Sequence, residues 1–323
     1  MRRAFSAPFH LRYAGIQTVL TFAAGQGTAS VTAELHPAPG KFRIAYINPA
    51  SSRGRLEQSD GRVDRLYLPA QRLVVVSAAT GQSADPAAIR RSIRRLERNY
   101  RLQIARSVHG VDGRAAWRVR ITPLDHARPR QVLWIDRSTW LITRRATYTA
   151  DGAEASRSSW RLLRVGGAVP TSLPSWHDPP HARVVTTIGS SSRLATPAAA
   201  QRATGGAVVP ARIGGGFGFD SARTMRAKGS TGVLVTYSDG LNAVSLLLLP
   251  GRRTIAVSPS DVALKAPAMP GRQDQREMRR GMLTILWWYD PRLNATASLQ
   301  GEVTPQLLLK LAMNVVPTAH KQR

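Results

Sequence analysis

The chain of 323 residues lacks cysteine and has few acidic residues, and both shortages limit its chemistry. Without cysteine there are no disulfides, iron–sulfur clusters or thiolate zinc sites. Aspartate and glutamate number 19 against 46 lysines and arginines, which gives a net charge of +27. Four of the aspartates precede a glycine and are expected in tight turns: Asp60, Asp112, Asp151 and Asp239. Few carboxylates therefore remain for paired acid–base catalysis.

Long hydrophobic runs are also missing. The most apolar window, residues 244–249, has about six residues, whereas a membrane-spanning helix needs ~20. The first residues are basic, but a strand-like pattern begins by Leu11 without the apolar stretch of about 7–15 residues that marks a signal peptide. The sequence predicts no membrane-spanning helix, and we expect no export signal within it.

The positive charge favours anionic partners, since the composition is otherwise that of an ordinary folded protein with 43% hydrophobic and 20% charged residues. Nearly all of the basic residues are arginine, which is also what a GC-rich genome produces as background. No zinc-finger spacing, ribonucleoprotein-type aromatic motif or basic heptad accompanies the charge. We therefore expect no nucleic-acid partner.

Short strands dominate the chain from residue 11 to residue 165. They alternate apolar and polar residues, as in Trp117-Arg118-Val119-Arg120-Ile121, and tight turns join them, so neighbouring strands must be antiparallel. After residue 165 the composition changes, and Pro, Ser, Ala, Gly and Thr become frequent. The predicted fold class is a β-rich α+β protein, with a first domain at 1–166, a linker at 167–209, a smaller α+β domain at 210–317 and a tail at 318–323.

A helix with Thr304 as its cap and Pro305 as its first residue is expected near the end of the sequence, and one earlier helix interrupts the strands. Asp85 is its expected cap and Pro86 its first residue, and Ile89, Ile93 and Leu96 form an apolar stripe. The opposite face of the helix carries five arginines: Arg90, Arg91, Arg94, Arg95 and Arg98. This face either binds lipid phosphates or an acidic partner, or is simply a solvated helix surface.

No catalytic or metal motif stands out. Gly-x-Ser-x-Gly and His-Glu-x-x-His are absent, and two prolines between His177 and His181 prevent the helix that would bring these imidazoles together. The glycine-rich stretch 214–218 lacks the lysine and hydroxyl residue of a phosphate-binding loop. The aromatic stretch 287–289 is expected to pack, with one ring in the core and one at an interface. We predict a protein without enzymatic activity, cofactor or metal.

Several short motifs occur in an order that resembles the MucB/RseB family of envelope regulators, whose first domain is similar to the lipoprotein carriers LolA and LolB. The motifs are Tyr13-Ala14-Gly15-Ile16, Asp64-Arg65-Leu66-Tyr67-Leu68-Pro69, Asn99-Tyr100, Val111-Asp112-Gly113, Leu133-Trp134-Ile135-Asp136, Tyr237-Ser238-Asp239-Gly240-Leu241 and Gly301-Glu302-Val303-Thr304-Pro305. The resemblance covers most of the chain, with no clear landmark between 167 and 209.

The resemblance implies a strongly curved antiparallel half-barrel over helices, with an apolar cavity, followed by a smaller α+β domain. It also implies an extracytoplasmic or periplasmic protein that shields the extracytoplasmic part of a membrane-bound anti-sigma factor, with release triggered by lipid, lipoprotein or another acylated ligand. Peripheral membrane association fits the same function. The alternative is a lipoprotein or lipid carrier on the same half-barrel, and an enzyme comes third. The expected cavity residues are Ile16, Phe42, Ile44, Leu66, Leu68, Val75 and Leu133.

Overall fold

A computed structural model describes most of the chain in two compact units. The described residues are 1–23, 26–79, 86–107, 109–125, 128–149, 151–186, 193–204, 209–227, 230–253, 262–264, 269–280 and 283–315. The first unit comprises Met1–Arg90, Arg101–Thr122 and Arg130–Gly189, and the second comprises Arg91–Tyr100, Pro123–Pro129 and Ser190–Arg323. The predicted domain limits remain a prediction, and the predicted tail at 318–323 lies outside the described residues.

Four α-helices are described, and their ends follow capping rules. They are α1 (Arg2–Ser6), α2 (Pro86–Asn99), α3 (Pro197–Ala203) and α4 (Pro305–Val315). The hydroxyl of Thr304 accepts the amide N–H of Leu307 at 3.3 Å, as expected of a residue that precedes a first-turn proline. Asp85, the expected cap of α2, lies outside the described residues. None of the described helices is long and apolar enough to cross a membrane.

The first unit is built on one sheet of twelve strands. These are β1 (Tyr13–Ala23), β2 (Gln26–Ala38), β3 (Lys41–Asn48), β4 (Leu56–Asp60), β5 (Val63–Leu68), β6 (Leu73–Ala78), β7 (Tyr100–Ser107), β8 (Ala116–Pro123), β9 (Arg130–Asp136), β10 (Ile142–Tyr148), β11 (Glu154–Val165) and β12 (Arg183–Thr186). Their order across the sheet is β12-β6-β5-β4-β3-β2-β1-β11-β10-β9-β8-β7.

The described strand pairs are antiparallel, apart from β12, which runs parallel to β6. Strand β12 lies in the segment predicted to be a linker, and its β-branched Val184 and Val185 pair with Val74 and Val75 of β6. Strand β12 has only four residues and lies in a Pro- and Ser-rich segment, so the sequence gives no clear strand pattern there.

The second unit has a sheet in the order β13-β15-β16-β17-β21-β20-β19-β18, with β14 paired to β15. Its strands are β13 (Arg193–Leu194), β14 (Arg212–Gly214), β15 (Phe217–Ala227), β16 (Ser230–Ser238), β17 (Ala243–Pro250), β18 (Val262–Leu264), β19 (Gln273–Arg280), β20 (Leu283–Asp290) and β21 (Ala295–Gly301). Helix α4 buries Leu308 and Leu311 in a core that includes Tyr237 and Trp288. The prediction of a β-rich α+β fold with a half-barrel of antiparallel strands is confirmed.

All four Asp-Gly pairs lie where adjacent strands connect, as the sequence predicts. Gly61, Gly113, Gly152 and Gly240 have positive φ angles, which glycine adopts without steric cost. At the first of these turns, Asp60 accepts the amide N–H groups of the two residues after the glycine at 2.8 Å. The turn chemistry therefore sets the hairpin connections on which the rest of the sheet depends.

Candidate functional site

The strand register divides the side chains of the first sheet between two faces. Directly opposed residues of paired strands project to the same side, and successive residues of one strand alternate. We call one side the Leu133 face: from Leu133 the pairing leads through Arg145, Ser158 and Val19 to Ser30. The opposite side, which carries Trp134, is called the Trp134 face.

Six of the seven predicted cavity residues lie on the Leu133 face. Ile44 is opposite Glu57, Glu57 is opposite Leu66, and Leu66 is opposite Val75. Phe42 and Leu68 are two residues from these positions and share their face. The five residues on β3, β5 and β6 are partly exposed, whereas Leu133 is fully buried. This face therefore carries partly exposed apolar residues on β3, β5 and β6, with Glu57 of β4 between them, and a closed core at β9.

Ile16 is on the other side. It pairs with Ala33 of β2 and Arg161 of β11, which both belong to the Trp134 face. Strand β1 carries apolar residues at both parities, such as Ile16 and Val19, so hydrophobicity alone does not indicate which of them faces the cavity. Six of the seven predicted lining residues therefore share one face and Ile16 does not. The cavity itself remains a prediction.

Polar groups border the apolar part of the Leu133 face on β1 and β2. The carboxylate of Glu34, whose side chain is 10% exposed, accepts the Thr32 hydroxyl at 3.0 Å and lies 3.1 Å from His36 Nε2. The His36 ring stacks on Tyr13 with centroids 4.2 Å apart, and Phe42 lies 6.1 Å from His36. Burial, with the nearby Glu34 charge, raises the pKa of Tyr13 well above its usual range, so its hydroxyl stays protonated.

A second polar group follows on β3 and β4. The Tyr46 hydroxyl donates to Glu57 at 3.0 Å, and Arg55 pairs with the same carboxylate at 2.5 Å while lying over the Tyr46 ring at 4.6 Å. Burial raises the pKa of Tyr46, and the Glu57 charge adds to this effect. Arg55 offsets the charge of Glu57, so this group places a paired charge between the apolar residues of β3 and β5.

The predicted arginine face of α2 is divided by the fold. Arg95 is only 16% exposed and donates to the Phe219 carbonyl at 2.6 Å, with an ion pair to Asp220 at 3.4 Å. Burial outweighs that ion pair and lowers the pKa of Arg95 from its ordinary value. Arg91 also has interactions of its own. Arg90, Arg91, Arg94 and Arg98 are exposed, and Arg95 is the member of the face that is not.

The second unit contains a buried polar network that the sequence motifs did not reveal. Asp239 is fully buried, and its carboxylate accepts the Tyr100 hydroxyl at 2.5 Å and the Asn242 amide N–H at 2.7 Å. Arg128, 4% exposed, lies 3.5 Å from this carboxylate and 2.7 Å from Asp125. Burial, helped by the Asp239 charge, raises the pKa of Tyr100 above its usual range. The turn aspartate therefore also anchors distant residues of its unit.

Close approach to α2 requires glycine at two turns of this unit. A Cβ atom at Gly240 would collide with the backbone of Leu96 and Ser92, and one at Gly216 would collide with the Asn99 side chain. Asn99 donates to the Asp239 carbonyl at 2.9 Å. The signal was present in the sequence, because Asn99-Tyr100 and Asp239-Gly240 both belong to the motifs of the resemblance, but a linear motif does not show that they touch.

The histidine pair, the glycine-rich stretch and the aromatic stretch each have a defined place in the structure. His177 and His181 are exposed, and the described residues contain no group of three or more metal-ligating side chains close together. Gly214, the last residue of β14, and Gly215 and Gly216 in the turn before β15 all have positive φ angles. Trp287 and Trp288 are both buried, at 3% and 0% exposure, in different clusters. The prediction that one of these rings lies at an interface is therefore wrong, because both tryptophan rings are buried in the core.

Comparison with known proteins points to one family. Residues 52–173 match the model of the MucB/RseB N-terminal domain, which confirms the resemblance stated from the sequence. No curated protein sequence matches this chain.

Three solved structures share the fold over both units. MucB in complex with MucA(peri) has a TM-score of 0.54 at 17% identity, over 97% of this chain and 95% of that chain. The MucA/MucB complex of Pseudomonas aeruginosa has a TM-score of 0.55 at 17% identity, over 96% and 95%. MucB by itself has a TM-score of 0.52 at 17% identity, over 97% and 94%.

Proposed function

We propose that this protein is a regulator without enzymatic activity that binds the extracytoplasmic region of an anti-sigma factor. The proposal is supported by the match of residues 52–173 to the MucB/RseB N-terminal domain and by the fold that both units share with MucB. One observation carries the proposal: the fold match extends over 97% of the chain to MucB in a complex with MucA(peri). A match of the first unit alone would favour a simple carrier equally well.

The second part of the proposal is a lipid-like ligand on the Leu133 face. Phe42, Ile44, Leu66, Leu68 and Val75 are partly exposed apolar residues of this face, on β3, β5 and β6, and Glu57 of β4 lies between the two groups. Covering these apolar residues with an acyl chain contributes about 0.8 kcal/mol for each CH₂ removed from water.

The exposed arginines of α2 provide the attraction for an acidic protein segment. Arg90, Arg94 and Arg98 are exposed, and they extend the positive charge of a chain with net charge +27. Charges at the rim of an interface mainly accelerate association. We place the protein outside the cytoplasm, where the extracytoplasmic region of an anti-sigma factor is accessible.

A protection assay tests the regulatory proposal. The extracytoplasmic segment of a single-span anti-sigma protein from the same genome, carrying a site for a sequence-specific protease, is digested with and without this protein. We expect slower cleavage in its presence and recovery of the rate when a synthetic diacyl lipopeptide is added. A cleavage rate that does not depend on this protein would contradict the proposal.

A lipid or lipoprotein carrier is the second candidate, favoured by the same partly exposed apolar surface. The carrier function predicts stoichiometric lipid on the purified protein, which native mass spectrometry detects. Repeated recovery of lipid-free protein that cannot be loaded with the diacyl lipopeptide would exclude this candidate, while binding of the anti-sigma segment would be unaffected by that result.

A further inference from the structure

The Trp134 face of the first sheet carries an array of arginines over β8–β11. Arg118 is opposite Trp134, Trp134 is opposite Arg144, and Arg144 is opposite Ser159. The same register adds further arginines to this side of the sheet, at Arg120, Arg130, Arg157 and Arg161. Arg118, Arg120 and Arg161 are exposed.

Little negative charge balances this array. Among the described residues, Arg157 is the member with a carboxylate partner, at 2.6 Å from Glu154. Arg144 lies over the Trp134 ring at 4.5 Å and Arg130 over the Tyr148 ring at 4.7 Å. These ring contacts position two guanidinium groups without a carboxylate to neutralise their charge.

An apolar area adjoins the arginines on the same face. Ile16 is opposite Arg161, and Leu20 is opposite Arg157, so β1 places hydrophobic side chains directly beside the charged strand. Both residues are partly exposed, as is Val31 on β2. A surface that combines unpaired arginines, Trp and Tyr rings and neighbouring aliphatic side chains has the composition of membrane-interface regions.

We propose that the Trp134 face docks onto the surface of a bilayer rich in anionic phospholipid. The strands that carry the array are interior to the sheet, so their backbone groups are used in pairing and cannot recognise an extended peptide by strand addition. Only side chains face outward, and a field of phosphate headgroups matches their repeated positive charge. An acidic protein partner on this face is the alternative that the test must distinguish.

A charge-matched pair of triple variants tests the docking. Arg118→Gln, Arg120→Gln and Arg161→Gln remove three exposed charges from the face, whereas Arg62→Gln, Arg72→Gln and Arg183→Gln remove three exposed charges from the far end of the same sheet. Binding to phosphatidylglycerol–phosphatidylcholine vesicles is measured by flotation at about 0.1 M salt, where charges more than about 10 Å from the membrane are screened.

We expect the first triple variant to lose about a hundredfold in partition coefficient, since each basic residue near an anionic surface contributes about fivefold, and the second to lose far less. Equal losses in both variants, or no loss in the first, would overturn the proposal. Retained vesicle binding combined with lost binding of the anti-sigma segment would assign the face to a protein and also overturn it.

A label reports the orientation independently. Since the chain has no cysteine, Ser159→Cys and Ser158→Cys each create one labelling position, and the register puts residue 159 on the Trp134 face and residue 158 on the Leu133 face. An environment-sensitive dye should shift to shorter wavelength on vesicle addition at position 159 and remain unchanged at position 158. The reverse pattern, or no change at either position, would contradict the docking.

Discussion

Asp239 is the residue with the densest set of described hydrogen bonds in the second unit. Its carboxylate accepts from Tyr100, Leu241 and Asn242, and Arg128 lies 3.5 Å away with 4% exposure. Removing one member of a buried charge pair leaves the other uncompensated, which typically costs about 3–5 kcal/mol. The buried Asp239 carboxylate therefore contributes to the stability of the second unit.

The Tyr100 hydroxyl tests that network with a small change. Tyr100→Phe removes the donor to Asp239 at 2.5 Å and the acceptor of the Asn242 side-chain amide at 2.7 Å. We expect the free energy of unfolding in urea to fall by about 1.5–3 kcal/mol, the range for hydrogen bonds to charged groups. Tyr289→Phe, whose hydroxyl bonds to Asn294 at an exposed position, is the control. Equal effects of both variants would contradict the network's importance.

Asp136 predicts a pH dependence of stability. Burial alone would raise the pKa of this carboxyl, but hydrogen bonds from Ser138 and Thr139 outweigh burial and lower it below its usual value. A lowered folded-state pKa stabilises the protein above the unfolded value of about 3.9, and this stabilisation disappears as the pH falls through the folded-state pKa.

We therefore expect Asp136→Asn to unfold at lower urea concentration than the original protein at pH 7, and the difference to shrink below about pH 4. Urea unfolding at both pH values measures it. A difference that stays constant between them would show that the Asp136 charge has no part in the stability.

At the scale of elements, the exposed arginines of helix α2 give a prediction about how fast the partner protein binds. Replacing Arg90, Arg94 and Arg98 by glutamine should slow association with the acidic anti-sigma segment about threefold to tenfold at low salt, with little change in dissociation. Stopped-flow mixing at several salt concentrations measures both rates. The variant with Arg62, Arg72 and Arg183 replaced is the charge-matched control, and an equal slowing there would leave the α2 arginines with no specific role.

The two sheet faces give a second prediction at this scale. Leu66→Gln places a polar group in the apolar surface of the Leu133 face and should weaken binding of a monomeric diacyl lipopeptide about tenfold, because a buried leucine contributes about 1.5–3 kcal/mol. Ile16→Gln, on the opposite face, should leave the affinity within about twofold. Fluorescence titration measures both, and a larger effect of Ile16→Gln would place the ligand on the Trp134 face.

Elements were predictable where local chemistry dictates them. Pro305 after Thr304 and the leucines of α4 predict that helix from the sequence, and the Asp-Gly pairs predict the turns. Strand β12 escaped prediction because its pairing with β6 depends on residues distant in the chain. The face of the sheet on which Ile16 lies was also not predictable. Strand β1 has apolar residues on both faces, so its inward face is known only once the strand register is known.

At the scale of the whole molecule, the order of weak motifs predicted the family whose N-terminal domain model matches residues 52–173. The Asp239 network and the arginine array could not be predicted in the same way. Tyr100 and Asp239 are 139 positions apart, and Arg118, Arg144 and Arg161 come to lie on one face of the sheet only through strand pairing. Composition indicated an anionic partner without indicating which surface would meet it.

The central claim is that this chain binds the extracytoplasmic segment of an anti-sigma factor, and isothermal titration calorimetry with that segment tests it most directly. We predict saturable one-to-one binding with a dissociation constant of about 1 μM or tighter, the weaker limit for interfaces of ordinary size. Addition of the diacyl lipopeptide should weaken this binding. Absence of binding at segment concentrations up to about 1 mM, a free energy of only about −4 kcal/mol, would contradict the account.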